Sequence, residues 1–348
     1  MNDYQRLLSD LRAAASGGPY TEALREVLQT HGCYGLPSRP ANETDKIKHM
    51  ILQLIVNERT EAGKNVFEYL KKEHIPYAVV KGAILSSKIY GDETARFSGD
   101  VDLLIPRKYS DAAKDCFTEN GFIRGRVVGN EIIPYTRKEM IFQATQSHQL
   151  APFVRSTDNK FCPFVNYDVN VELFWGESGK HTDMELFLCD TVPMKLNGTE
   201  VQTLPPEKEF TALCLHHYKD LNSVYLLARR GVPLSHFFDI YGYLLTQRPD
   251  IKKLRDVCNS IGATKYVYFC IQYVHELFAQ PCTEEYLKAF KTSEGEELLG
   301  FYGLNDSERR PWNIPIEERI FDKNFHMRFE QNLTDRDREI ISMNMDMM

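Results

Sequence analysis

The stretch that decides the fold runs from Tyr77 to Ile105 and reads YAVVKGAILSSKIYGDETARFSGDVDLLI. Its pattern predicts a strand over Tyr77–Val80, a turn at Lys81-Gly82-Ala83, a helix over Ile84–Tyr90 and then a second strand. Glycine gives such a turn its conformational freedom. The N–H groups at the start of the following helix form a natural phosphate site, to which Lys81 adds a positive charge. The stretch therefore predicts an α/β unit with a phosphate-binding turn.

The second strand carries two aspartates, Asp100 and Asp102, one residue apart. Residues two apart on a strand share a face, and two carboxylates on one face repel each other. The apolar residues Val101 and Leu103 indicate that the strand is largely buried. We favour a cation between the carboxylates, because hard divalent ions take oxygen ligands. An exposed pair, or one protonated carboxyl group, is the alternative.

A later stretch, Val165–Trp175, predicts another strand with a polar face. Asp168, Asn170 and Glu172 alternate there with valines and a leucine. Asp168 and Glu172 would lie on the same face, so both are candidates for a third carboxylate. Three carboxylates near a phosphate-binding turn suit nucleotidyl transfer, in which two Mg²⁺ ions clamp the attacking oxygen and the leaving pyrophosphate.

The rest of the chain divides into helical and strand-rich regions. We predict an N-terminal helical cap over residues 1–60, a core over 61–205 and a C-terminal helical domain with an irregular tail over 206–348. Within the core, Phe122–Val128 and Glu139–Ala144 are predicted strands. Apolar residues at helical spacing predict helices over Met1–Ala15, Tyr20–His31, Asp45–Lys72, Glu207–Tyr218, Val224–Ala228, Leu234–Leu245, Ile251–Ile261 and Lys265–Phe278.

Composition narrows the class of protein. The 348 residues are 43% hydrophobic and 26% charged, as in ordinary globular proteins. The net charge of −7 disfavours broad, nonspecific binding to nucleic acids. No apolar run approaches the roughly 20 residues that span a bilayer, so we expect no membrane partner. The eight cysteines form no C-x-x-C pair, which predicts reduced thiols and a cytoplasmic protein.

Two histidines, His216 and His217, stand side by side in a predicted helix. Adjacent helical residues do not share a face. We therefore predict packing roles for both rather than a shared metal ion.

The motifs together resemble a known family. Lys81-Gly82, followed by Asp92-Glu-Thr-Ala-Arg-Phe-Ser-Gly-Asp-Val-Asp-Leu-Leu-Ile105, resembles the signature of bacterial uncharacterised nucleotidyltransferases of the DNA polymerase beta-like superfamily. The resemblance continues at Val171-Glu-Leu-Phe-Trp175, where the family commonly has Val-Asp-Leu-His-Trp. It covers about residues 60–245. It implies an α/β fold with a polymerase-beta-like core, a mixed sheet and helical domains on either side in sequence.

The resemblance also implies roles for individual residues. Asp100 and Asp102 correspond to the metal ligands, and Glu172 corresponds to the third carboxylate, which would ligate the ion that activates the acceptor and serve as its base. This chain has Glu172 where the family has aspartate, and Phe174 where histidine is common.

On the phosphate side, the resemblance implies that Gly82 and the helix after it hold the β- and γ-phosphates. Lys81 would lie beside them, and Arg96 would brace the site or contact a phosphate. Ala83 stands where the superfamily usually has serine or glycine, so one side-chain contact to phosphate is absent.

The expected activity is Mg²⁺-dependent transfer of a nucleoside monophosphate, with AMP as the expected group, from an NTP to an acceptor with release of pyrophosphate. Two Mg²⁺ ions are expected, with Mn²⁺ as a substitute. A small molecule, a peptide, a protein side chain and an RNA end all remain open as acceptors. The alternatives are a nucleotidyltransferase fold that only binds, as an antitoxin-like or regulatory partner, and an aminoglycoside-type resistance enzyme with an acidic acceptor pocket.

Overall fold

The structure is a computed structural model that describes residues 2–33, 43–96, 98–176, 178–306 and 308–347. Residues 34–42, which belong to the predicted cap, lie outside the described residues. The chain divides into two compact units, one of Ser38–Glu209 and one of Met1–Pro37 with Phe210–Met348. Helices assigned to one N-terminal cap are thus distributed over both units, and the division into three domains stays a prediction.

The Ser38–Glu209 unit contains the stretch from Tyr77 to Ile105, and the elements predicted there are present. The turn at Lys81 joins a fully buried first strand to a helix whose Ile84, Leu85 and Ile89 are buried. The elements of this unit are α3 (Glu43–Lys72), β1 (Ala78–Val80), α4 (Gly82–Tyr90), β2 (Val101–Leu104), α5 (Ser110–Glu119), β3 (Ile123–Val128), β4 (Glu131–Pro134), α6 (Arg137–Gln146), β5 (Phe153–Ser156), β6 (Phe164–Asn170), α7 (Met184–Phe187), β7 (Val192–Leu196), β8 (Thr199–Thr203) and the first turn of α8 (Pro206–Asn222).

A mixed sheet of six strands, in the order β1-β2-β6-β5-β3-β4, organises this unit. Only the β2–β6 pair is parallel, with Val101 opposite Tyr167 and Asp102 opposite Asp168. The other neighbours in this sheet are antiparallel, and β7 and β8 form a separate hairpin. This mixed α/β architecture agrees with the predicted fold class.

Tyr167 lies at the centre of the core of this unit. Its fully buried ring contacts the rings of Phe67, Phe117 and Phe122. Its hydroxyl donates a 2.7 Å hydrogen bond to the backbone carbonyl of Arg59 on α3. The long helix α3 is thereby fixed against β6.

The second unit is mainly helical. The aromatic residues of α12 are mostly buried, including Tyr266, Phe269 and Phe278, so the helical period there marks a core helix. The remaining elements are α1 (Asp3–Ala15), α2 (Glu22–Thr30), the rest of α8, α9 (Val224–Arg230), α10 (Leu234–Thr246), α11 (Ile251–Ile261), α12 (Thr264–Phe278), α13 (Glu284–Phe290), α14 (Ser293–Leu299), β9 (Phe301–Tyr302), β10 (Arg310–Pro311), α15 (Ile316–Phe321), α16 (Phe325–Glu330) and α17 (Asp335–Met347).

Three sequence predictions differ from the structure. Glu139–Ala144 is helical, because Thr136 and Glu139 form a reciprocal capping box that starts α6. The strand predicted over Val165–Trp175 ends at Asn170. The segment after Pro315, predicted as an irregular tail, contains α15, α16 and α17. Among the described residues, no helix combines the length and apolar character that a membrane span requires.

Candidate functional site

The turn between β1 and α4 has an unusual backbone. Lys81 has φ 57° and ψ −151°, a combination that is essentially restricted to glycine and that costs an L-residue free energy. Gly82 follows with φ +45°. A Cβ atom on Gly82 would lie 3.4 Å from Ser98 Oγ and 3.8 Å from the carbonyl oxygen of Asp100. The turn therefore lies against the loop that leads into the aspartate strand.

A cleft opens beside this turn. Its charged lining residues are Arg59, Lys81, Glu93, Arg96 and Asp100. Helix α3 supplies an apolar wall through Leu52, Ile55 and Val56. Since the first N–H groups of α4 have no acceptor within their own helix, the cleft suits a ligand with an anionic part and an apolar part.

The two aspartates of the second strand differ in their surroundings. Asp102 is buried, with Lys81 Nζ 2.7 Å from its Oδ1. The side-chain amide of Asn170 donates a 3.2 Å hydrogen bond to the same oxygen. Burial raises the pKa of the Asp102 carboxyl group above its usual value, Lys81 opposes this shift, and Asp100 adds to it. Asp100 is half-buried and accepts a 3.1 Å hydrogen bond from Ser98 Oγ.

Strand β6 places a third carboxylate next to Asp102. Asp168 is the partner of Asp102 in the parallel β2–β6 register. Registered neighbours on adjacent strands point to the same face and lie about 4.8 Å apart. Asn170, two residues further along, reaches Asp102 on that face. Asp102 and Asp168 are therefore adjacent, and Asp100 enters the strand next to them.

Comparison with known proteins places the chain in a family. A family described as uncharacterised nucleotidyltransferase matches residues 22–279. The chain belongs to this family. No curated protein matches the sequence. A crystal structure of an antigenic nucleotidyltransferase-like protein from Paracoccidioides brasiliensis is similar over 69% of this chain and 92% of that one, with 14% identity and a TM-score of 0.37.

Glu172 of this nucleotidyltransferase family member lies just beyond the end of β6, four residues after Asp168. Its carboxylate accepts hydrogen bonds from the backbone N–H groups of Leu173 (2.8 Å) and Thr182 (2.9 Å), and His181 Nδ1 lies 3.7 Å away. The carboxylate of Glu172 is thus held by backbone N–H groups of the loop after β6.

The remaining sequence-predicted residues do line the cleft. Ala83 lies in the first turn of α4, half-buried on the cleft wall. Arg96 also lines the cleft, and its backbone N–H donates a 2.9 Å hydrogen bond to Ser86 Oγ, which fixes the loop to α4. The structure therefore brings Lys81, Gly82, Ala83 and Arg96 to one cleft, and their role in binding a nucleotide stays a prediction.

One residue of the site was not identified from sequence. Arg59 of α3 donates a hydrogen bond through Nη1 to the carbonyl of Ser98, just before Asp100. In the sequence Arg59 lies in a run of polar helical residues, Asn57-Glu-Arg-Thr-Glu61, which looks like an ordinary solvated face. Only the packing of α3 on the sheet reveals its position.

Proposed function

We propose that this chain catalyses Mg²⁺-dependent transfer of a nucleoside monophosphate from an NTP to an acceptor, with release of pyrophosphate. One observation carries the proposal: Asp102 and Asp168 are register partners next to the turn that holds Lys81 and Gly82. Family membership supports a transferase, and the cationic cleft supports a polyanionic substrate.

The residues present fit a pair of hard cations. Asp100, Asp102 and Asp168 would hold the ions through carboxylate oxygens, the donors that Mg²⁺ prefers. When bound, such ions supply a clamp on the attacking and leaving oxygens. Mn²⁺ takes similar ligands. We propose Asp168 as the third carboxylate in place of Glu172, because Glu172 is engaged by backbone N–H groups beyond the strand.

Lys81 has two roles in this proposal. Its Nζ neutralises the buried Asp102, and it lies at the start of the helix whose N–H groups would bind phosphate. Arg96 and Arg59 line the same cleft and would position the triphosphate. Positioning and neutralisation of charge account for most of the catalysis in such reactions, so the chain needs few further groups.

The acceptor class is left open among a small molecule, a peptide or protein side chain, and an RNA end, with ATP proposed as the donor. The 2.7 Å contact between Lys81 and Asp102 favours a second candidate. In that case the lysine permanently substitutes for a cation, and the chain is a binding protein with a nucleotidyltransferase fold.

Calorimetry with ATP in the presence and absence of Mg²⁺ tests the proposal. The wild-type chain should bind ATP more tightly with Mg²⁺, Asp168→Asn should lose that dependence, and Glu172→Gln should retain it. Candidate acceptors are then screened with labelled ATP for release of pyrophosphate. Retained Mg²⁺-dependent binding in Asp168→Asn, together with its loss in Glu172→Gln, would return the role to Glu172. ATP binding that is absent or indifferent to Mg²⁺ in the wild type would favour the binding protein.

A further inference from the structure

A group of three histidines lies in the helical unit, outside the site described above. His216 and His217 are on α8 and His236 is on α10. One ring nitrogen from each lies within 4.8 Å of the others. His217 and His236 are buried and His216 is half-buried, so the histidine cluster has one member at its rim. The two adjacent histidines thus meet a third ring from another helix, and the packing roles predicted for them stay a prediction.

Two aspartate carboxylates contact the three imidazole rings. Asp220 Oδ2 lies 3.1 Å from His236 Nε2 and 3.5 Å from His216 Nε2. Asp239 Oδ2 lies 3.2 Å from His217 Nε2. Thus each of the three imidazoles has a carboxylate oxygen near its Nε2 atom.

This arrangement fixes where the proton of His236 resides. Asp220 is buried and lies between two basic side chains, Lys219 and Arg230. Asp220 is therefore an acceptor, and His236 Nε2–H donates to it. In the neutral ring, His236 Nδ1 then carries a lone pair. That atom is buried and has no hydrogen-bond partner within the part of the chain that the structure describes.

We propose that the histidine cluster binds one divalent transition-metal ion, such as Zn²⁺, through imidazole nitrogens of His216, His217 and His236. Imidazole ligands favour Zn²⁺, Ni²⁺, Cu²⁺ and Co²⁺, whereas Mg²⁺ prefers oxygen. A carboxylate on the second nitrogen of a ligating histidine is the usual outer partner of such sites, since it fixes the tautomer and raises the basicity of the ligand. Asp220 and Asp239 lie beside the Nε2 atoms of these rings, which leaves the Nδ1 atoms as the ligands in this proposal.

The charges around Asp220 assign it to this outer role. Lys219 Nζ lies 3.7 Å and Arg230 Nη2 3.2 Å from its oxygens, so these cations already balance the carboxylate. The rings of His217 and His236 are stacked, with centroids 4.0 Å apart and an interplanar angle of 20°. Because stacked rings direct their lone pairs side by side, one ring must turn when an ion is coordinated. Three protein ligands also leave a fourth position for water or another group.

Cobalt titration of the full chain, stripped of metals with a chelator and kept in excess Mg²⁺, tests the proposal. Co²⁺ should bind with one equivalent and give visible d–d absorption typical of nitrogen coordination, and Zn²⁺ should displace it. His216→Gln, at the rim of the cluster, should weaken binding by more than the roughly 10–100-fold that loss of an outer partner costs. His326→Gln, an exposed histidine of the same unit, is the matched control.

Circular dichroism and thermal unfolding confirm that each variant is folded. His236→Gln is the second ligand variant. If that variant fails to fold, the Co²⁺ titrations of the wild type and of His216→Gln test the proposal. Absence of stoichiometric Co²⁺ binding in the wild type would overturn the proposal, as would equal loss in His216→Gln and His326→Gln. Asp168→Asn should bind Co²⁺ normally, so this result is independent of the proposed nucleotidyl transfer.

Discussion

Gly82 offers a sharp test of the phosphate-binding turn, because the structure separates its backbone role from its role in the site. Its φ of +45° lies in the left-handed region, where an L-residue costs about 1–2 kcal/mol. A Cβ atom there would approach nothing closer than 3.4 Å, which is ordinary van der Waals contact. Gly82→Ala should therefore destabilise the fold by about 1–2 kcal/mol through its backbone alone.

The same helix supplies the matched control. Gly91 ends α4 with φ +67°, and a Cβ atom there would meet nothing within 4 Å. Gly91→Ala should carry a similar cost in stability, about 1–2 kcal/mol. For a unit of this size each kcal/mol lowers the melting temperature by about 2–4 °C. Urea and thermal unfolding should thus give similar values for the two variants.

Ligand binding should distinguish them. The methyl group of Gly82→Ala projects toward Ser98 and Asp100, where a phosphate would approach the backbone N–H groups. A loss of at least tenfold in the affinity for Mg²⁺-ATP, or about 1.4 kcal/mol, is expected for Gly82→Ala and none for Gly91→Ala. Calorimetry on both variants measures this difference. Equal affinities for the two variants would refute the assignment of the turn to phosphate binding.

Two further predictions concern the core and the pH dependence. In Gly63→Ala the new Cβ atom would lie 2.0 Å from the Tyr167 hydroxyl oxygen, so this variant should lose about 1–3 kcal/mol by overpacking despite the better helix propensity of alanine; an unchanged urea midpoint would contradict this. Burial raises the pKa of Asp102, so Mg²⁺-dependent nucleotide binding should weaken on acidification at a pH above the roughly 3.9 of an ordinary aspartate. The pKa of Asp102 is higher in the folded chain than in the unfolded chain. The contribution of Asp102 to the free energy of unfolding is therefore fully present below the unfolded-state pKa and is lost as pH rises through the folded-state pKa. Asp102→Asn should remove this contribution from melting temperatures measured across pH; an identical pH profile in the variant would count against it.

The sequence predicted the stretch around the turn well, because several independent local signals agree there. An apolar strand, glycine in a tight turn and alternating aspartates each constrain the chain over a few residues, and the structure has β1, α4 and β2 at those positions. The error at Glu139 had a local cause as well. Thr136-x-x-Glu139 is a capping-box signature that favours a helix. The apolar residues that follow it favour a strand, and the prediction followed those residues.

Other features depend on contacts between distant segments. The alternation continues past the end of β6 at Asn170, and Val171 and Phe174 are buried. The N–H group of Val171 still donates a 2.9 Å hydrogen bond to the carbonyl of His148. Periodicity reports this burial and does not mark the residue at which the regular strand ends. His236 joins the histidine cluster from a different helix, and nothing in its own sequence surroundings signals that contact.

The choice between Asp168 and Glu172 depends on the register of β6, which periodicity cannot supply, because both residues share a face. The register is fixed by Tyr167, whose ring fits against the glycine at position 63 of α3 and whose hydroxyl bonds the carbonyl of Arg59. A shift of β6 by two residues would remove Tyr167 from this space. Arg59 also bonds the carbonyl of Ser98 just before Asp100. Arg59 of α3 therefore positions both β6, through Tyr167, and the segment that leads into β2, through Ser98. Asp168 lies beside Asp102 because the preceding residue, Tyr167, fits only opposite Gly63.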